Sequence, residues 1–226
     1  MTAAEALFIG RGAGRRFVVC WHPPAGVARR GAVLFVPPFA EEMNKSRRMV
    51  ALTAAALAAR GFTVLRIDLG GCGDSAGRLD QMTWHGWLDD LETAWRWLHG
   101  ATGAVPWLWS LRAGALLAHA AAPRLAAIAG QVLWQPVLSG KQYLTQFLRM
   151  RVAADAFALP DPSQRASTGS LMAALAAGEA VDVGGYRTPP AIALPLAASE
   201  LDTTLHAGNA YWLEVAVADP ATLAPG

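Results

Sequence analysis

Residues 106–114 read PWLWSLRAG, and the fold turns on how they are read. A strand-length apolar run breaks at small residues and a glycine, then continues as AGALLAHAAA (113–122). That pattern is a strand, a sharp turn and a helix. In a turn of this kind with the spacing G-x-S-x-G, the middle residue is held in strained backbone that lifts a nucleophile above the sheet. The five positions here are Ser110, Leu111, Arg112, Ala113 and Gly114, so the apex is Arg112. A guanidinium stays protonated and has no lone pair for attack, so it forms no acyl intermediate.

Working outward, RRFVVCWHPP (15–24) and GAVLFVPPF (31–39) are β-rich runs closed by prolines, which cannot donate to a ladder. From Lys45 to Arg60 the positions Met49, Val50, Leu52, Thr53, Ala56 and Leu57 follow helical spacing, with Ser46 as the expected N-cap and Gly61 beyond the end. GFTVLRIDL (61–69) is the next strand, and GGCGDSAG (70–77) is a loop needing several positive φ angles. TWHGWLDDLETAWRWL (83–98) is a helix with Trp84, Trp87, Leu88, Leu91 and Trp95 on one stripe, ended by Gly100. AGQVLWQPVL (129–138) supplies another buried strand. Strands alternating with such helices predict βαβ units and a mainly parallel sheet with helices on both faces.

Beyond residue 138 the rhythm breaks. SGKQYLTQFLRMRVAADAF (139–157) is an amphipathic helix, followed by the loop-like LPDPSQRASTGS (159–170) and the alanine-rich LMAALAAGEA (171–180). In one domain spanning residues 1–226, this excursion at about 139–188 reads as a lid, with a plain surface detour as the alternative. AYWLEVAVADP (210–220) is expected to be a strand ending in Asp219, leaving the sheet short of a last helix and strand.

The bulk composition bounds the function class. With 54% hydrophobic residues, 16% charged residues and nine tryptophans, the chain is core-heavy and globular. A net charge of +2 gives no reason to expect nucleic acid as a partner, while acidic small ligands stay in play. Two cysteines, Cys20 and Cys72, make no disulfide framework and suit a reducing compartment. The amino terminus lacks the order of a secretory signal, and no segment is apolar for long enough to span a membrane. The expected location is therefore the cytoplasm.

DLGGCGDSAG (68–77), a helix and then the strand with its elbow resemble the α/β-hydrolase superfamily. FVPPFAEEMNKSRRM (35–49) and LWQPVLSGKQYLTQFLR (133–149) further resemble the exosortase A system-associated hydrolase 2 family, found beside bacterial exopolysaccharide genes. The resemblance is strong over about 31–151 and thinner afterwards. It implies a cytoplasmic protein of that fold serving an exopolysaccharide and protein-sorting locus. By name it also implies an ester or acyl hydrolase. In that family an arginine at the elbow is usual.

The residues supply the chemistry poorly. Ser110, two positions before the apex, and Cys72, in the glycine-rich loop, are weak nucleophile candidates that read first as structural. Asp219 stands where the superfamily carries its acid, but no residues remain for a histidine strand after it, and His206 precedes it, against the order Ser…Asp…His. An oxyanion hole would use the backbone N–H of Ala113 and that of Phe39 or Ala40, because Pro37 and Pro38 have none. Arg112 in such a pocket suits a carboxylate or phosphate, or pairs with Glu41 or Glu42.

No metal-ligand spacing and no phosphate-loop spacing is present, so neither a metal nor a cofactor is expected. The helix with Lys141, Arg149 and Arg151 against Tyr143, Leu144, Phe147 and Leu148 reads as core or lid packing before a membrane surface. Two functions of different class follow: a hydrolase, or a non-catalytic protein binding a small acidic molecule or supporting a partner protein or a second copy.

Overall fold

The computed structural model describes residues 4–202 and 209–215. Strand β1 (Ala4–Ile9) pairs antiparallel with β2 (Arg16–Trp21), and β2 pairs antiparallel with β4 (Phe62–Ile67). From β4 the sheet is parallel through β3 (Gly31–Val36), β5 (Pro106–Leu111), β6 (Gly130–Trp134) and β9 (Asn209–Leu213). The order is β1-β2-β4-β3-β5-β6-β9. Central strands such as β3 and β5 are apolar on both faces, as a sheet covered on both sides demands.

Helices α2 (Trp84–Thr102) and α3 (Gly114–Ala121) pack on one face, where Leu34, Val36, Leu65 and Leu108 meet Leu88, Leu91, Leu116 and Leu117. Helix α1 (Glu41–Ala59) lies on the other, against Trp21, Val33, Phe35, Val64 and Trp109. This is the expected mainly parallel α/β-hydrolase-like sheet with helices on both faces. After β6 come α4 (Gly140–Ala158), capped by Ser139, then α5 (Thr168–Ala176), the short hairpin β7 (Val181–Val183) and β8 (Tyr186–Thr188), and α6 (Pro190–Ala198).

Several local expectations need correction. Helix α1 starts four residues before Lys45, and Ser46 is not its cap but lies inside it, its Oγ donating to the Met43 carbonyl at 3.2 Å. The chain turns at Ala40, whose φ is +52°, and Glu41 and Glu42 suit the positive end of the helix dipole. The buried stripe of α1 is Met43, Val50, Ala54 and Ala58, while Met49 and Leu52 are exposed: small residues let the helix approach the sheet on a rotated face.

Helix α2 runs past Gly100 and ends at Gly103, whose φ of +69° is the left-handed stop. Helix α5 begins at Thr168, inside the stretch read as loop. Strand β9 stops at Leu213, well short of Asp219. Strand β1, the β7–β8 hairpin and α6 carry no clear period in the sequence and come from the structure alone.

Candidate functional site

The elbow forms at the carboxyl end of β5. Arg112 has φ +52°, a conformation that costs any residue with a Cβ about 1–2 kcal/mol. Its backbone is locked there: the N–H donates to the Trp134 carbonyl at 3.1 Å, and its own carbonyl accepts from Ala115 at 3.0 Å and Val137 at 3.3 Å. Gly114 lets α3 start close to β3, since a Cβ there would stand 2.6 Å from the Pro37 carbonyl oxygen and 2.7 Å from that of Val36.

The guanidinium reaches back over the start of α1. Its Nε donates to Glu42 Oε1 at 3.0 Å and Nη1 to the Gln135 carbonyl at 3.4 Å. The other Glu42 oxygen accepts from the Tyr143 hydroxyl of α4 at 2.9 Å. Burial, then the Glu42 carboxylate, pushes the Tyr143 phenol well above its ordinary value, so it stays a donor. Glu41 pairs with Lys45 at 3.4 Å. The Arg112 and Glu42 side chains are 36% and 27% exposed, so the pair is wet enough to exchange partners.

These groups line a cavity of about 130 Å³ with Phe39, Gln146, Phe147 and Met150. Beneath it the Phe39 ring packs on Phe147 at 5.1 Å and Trp87 at 5.9 Å between centroids, and only about 20 Å³ remains between Ala40, Cys72, Ala113 and Leu117. That is room for roughly one water, not for an acyl chain. Tyr143, Leu144, Phe147 and Leu148 are buried in this packing.

Among the described residues, the N–H groups of Phe39, Ala40 and Ala113 donate to no protein acceptor. They sit at the starts of α1 and α3, where unpaired N–H groups favour negative charge. Ser110 is fully buried on an interior strand, not near the sheet's edge, and its Oγ reaches only the Val132 carbonyl at 3.5 Å. Cys72 is half-buried; burial, then Asp68 and Asp90, pushes its thiol up to about 12, the reverse of an activated cysteine. Among the described residues no histidine lines the Arg112 cavity. His206 and Asp219 lie outside the described residues.

The glycine-rich loop is bolted to protein groups. Asp90 of α2 accepts from Arg16 Nε at 2.6 Å and from the Gly70 N–H at 2.7 Å, and Trp87 Nε1 donates to the Gly70 carbonyl at 3.0 Å. Ser75 Oγ donates to the Asp68 carbonyl, and Asp68 meets Arg47 at 3.4 Å. Among the described residues no three His, Cys, Asp or Glu side chains gather as a ligand set, and no helix is long and apolar enough to cross a membrane.

Sequence reasoning missed Tyr143, Gln146 and Met150 as pocket residues. Nothing local could find them, because α4 meets Glu42 across 101 residues of chain. It also missed Arg16 and Asp90, for which no signal was present.

Comparison with known proteins agrees with the fold. The family profile described as serine aminopeptidase, S33, matches residues 28–180. An α/β serine hydrolase without lid from Xanthomonas campestris is similar at 26% identity and a TM-score of 0.51, over 60% of this chain and 62% of that one. An α/β serine hydrolase homologue from Coxiella burnetii gives 25% and 0.50, over 60% and 64%. A monoglyceride lipase from Saccharomyces cerevisiae shares the fold at 16% identity and a TM-score of 0.54, over 70% and 54%. The aligned part thus spans less than two thirds of these relatives. No curated protein matches the sequence significantly. With its elbow, its parallel sheet and a family match over most of its length, the chain belongs to the serine aminopeptidase S33 family of the α/β-hydrolase superfamily.

Proposed function

We propose that this chain is a catalytically silent α/β-hydrolase-fold protein that uses the elbow pocket to bind a small acidic molecule. The carrying observation is Arg112 itself: it occupies the elbow at φ +52° and turns its guanidinium into a cavity lined by Glu42 and Tyr143. A group that cannot be acylated stands where the fold presents its nucleophile. A carboxylate or phosphate entering the cavity takes the guanidinium edge that Glu42 now holds. Exchanging a partly exposed pair costs about 1 kcal/mol or less, so the pocket opens cheaply. Phe39, whose N–H has no protein acceptor among the described residues, lines the same cavity, while the backbone donors of Ala40 and Ala113 belong to the smaller slot beside it.

In this reading residues 139–188 are the lid, with α4 closing the pocket through Tyr143 and Phe147. The strings at 35–49 and 133–149 support an exosortase A and exopolysaccharide-associated protein acting in the cytoplasm. Hydrolysis of an ester or acyl substrate is the second reading, favoured by the family match and by those backbone donors.

The test is titration with succinate and with inorganic phosphate, beside turnover of short aryl esters. The proposal expects binding that Arg112→Ala weakens at least about tenfold with the fold intact, and no turnover above background. Binding unchanged in Arg112→Ala, or ester turnover by the unaltered chain, overturns it.

A further inference from the structure

The charge around the elbow pocket is not that of a site built for an anion alone. Arg112 supplies one positive charge, while Glu41 and Glu42 supply two negative ones to the same cavity of about 130 Å³. Among the described residues the only cation that meets Glu41 is Lys45, whose exposed ammonium stands 3.4 Å away, a contact that water readily replaces. Glu42 is committed on both oxygens, to Arg112 Nε at 3.0 Å and to the Tyr143 hydroxyl at 2.9 Å.

An anion that takes the guanidinium disturbs this balance. Among the described residues Arg112 Nη2 has no acceptor, and Nη1 reaches only the Gln135 carbonyl at 3.4 Å. A carboxylate can therefore seat bidentately along the Nε–Nη2 edge. Doing so takes Nε away from Glu42 Oε1. That oxygen is then unpaired beside the incoming negative charge, with Glu41 next to it in the first turn of α1. Like charges in contact repel, and a partly buried acceptor without a donor is costly.

A ligand that carries its own cation removes both costs. An ammonium has N–H donors and no acceptor, so beside Glu42 Oε1 and Glu41 it restores the charge that Arg112 withdrew. The spacing fixes where that ammonium sits on the ligand. Arg112 Nε and Glu42 Oε1 are only 3.0 Å apart, so the partners for the two ligand charges are neighbours, and both charges belong on one carbon. Phe39, Phe147 and Met150 supply apolar lining for a short aliphatic stem. The volume, equal to that of roughly four waters in the liquid, admits nothing longer. In an inference that rests on the acid-binding reading of this pocket, we infer that its ligand is a small zwitterion of the α-amino acid kind, carboxylate on Arg112 and ammonium on Glu42 and Glu41.

The probes are four small molecules of similar size: L-2-aminobutyrate, butyrate, 4-aminobutyrate and butylamine. Isothermal titration of the unaltered chain is expected to show L-2-aminobutyrate binding at least about tenfold tighter than each of the others. Butyrate lacks the cation, butylamine lacks the anion, and 4-aminobutyrate holds its charges too far apart for neighbouring partners. Glu42→Gln keeps an acceptor for Tyr143 but loses the charge, and should bring L-2-aminobutyrate and butyrate to equal affinity. Butyrate or 4-aminobutyrate binding as tightly as L-2-aminobutyrate overturns the zwitterion and leaves the acid-binding pocket standing. Butylamine binding as tightly overturns it too, as does a preference that survives Glu42→Gln. No binding of any of the four overturns it together with the acid-binding reading. The four titrations of the unaltered chain decide the matter even where Glu42→Gln fails to fold.

Discussion

Arg112 and Glu42 meet at 3.0 Å across 70 residues of sequence, and Tyr143 holds the far oxygen of the same carboxylate at 2.9 Å. The elbow, the first turn of α1 and the helix after β6 are thereby tied at one point. Because both charged side chains keep contact with water, removing one does not strand the other. Arg112→Ala is expected to cost about 1 kcal/mol, well below the 3 kcal/mol or more of a buried broken pair. Arg112→Gly should be about 1 kcal/mol more stable than Arg112→Ala, since glycine adopts φ +52° without strain. Urea unfolding of the two variants measures both differences; equal stabilities would mean the elbow is not strained.

Gly114→Ala should destabilise by about 1–3 kcal/mol, because its Cβ meets backbone oxygens of Val36 and Pro37 that cannot move without shifting β3. The same change at Gly100, in the last turn of α2 and with open space around it, should stabilise by up to about 1 kcal/mol. Calorimetric melting of the two variants should move Tm in opposite directions. A tolerated Gly114→Ala would place α3 further from the sheet than described.

How much of this was legible follows from the range over which each signal acts. The elbow was readable because strand, apex and helix are contiguous. The α2 stripe was readable because Trp84, Trp87, Leu88, Leu91 and Trp95 repeat at helical spacing and are all buried. The start of α1 was not, because Ser46 looks like a cap while the true start is set by the Ala40 turn. Helix α6 was hidden by the proline inside it, Pro195, and β7 and β8 are three residues each, too short for a period. The partner of Arg112 was open between Glu41 and Glu42: Glu41 finds Lys45 one turn on in the same helix, whereas only tertiary packing brings Tyr143 to Glu42.

Arg16 and Asp90 form a pair whose side chains are 9% and 7% exposed, and Asp90 also holds the Gly70 N–H. Asp90→Ala leaves a buried guanidinium and an unpaired amide, so about 3–5 kcal/mol of stability should be lost. Chemical denaturation of the variant checks this. A loss below about 1 kcal/mol would show that water replaces the carboxylate.

The thiols give a pH dependence with a definite sign. Burial pushes Cys20 and Cys72 up to about 12 from an ordinary 9.0, with Glu5 adding at Cys20 and Asp68 and Asp90 at Cys72. The native state therefore keeps both protons where the unfolded chain releases them. This contribution to stability is complete below pH 9 and declines as pH rises towards 12. Melting temperature should fall over that window, and less steeply in a Cys20→Ala, Cys72→Ala double variant. Identical slopes would contradict the burial of the thiols.

Under the proposed function, Arg112 leaves the elbow of this serine aminopeptidase-family chain without an acylable group and no other serine takes its place. Intact-protein mass spectrometry after exposure to a fluorophosphonate serine-hydrolase reagent tests it most directly. The mass is expected to stay unchanged under conditions that fully label a serine hydrolase. A covalent adduct that peptide mapping assigns to Ser110, or to any other serine, would contradict it.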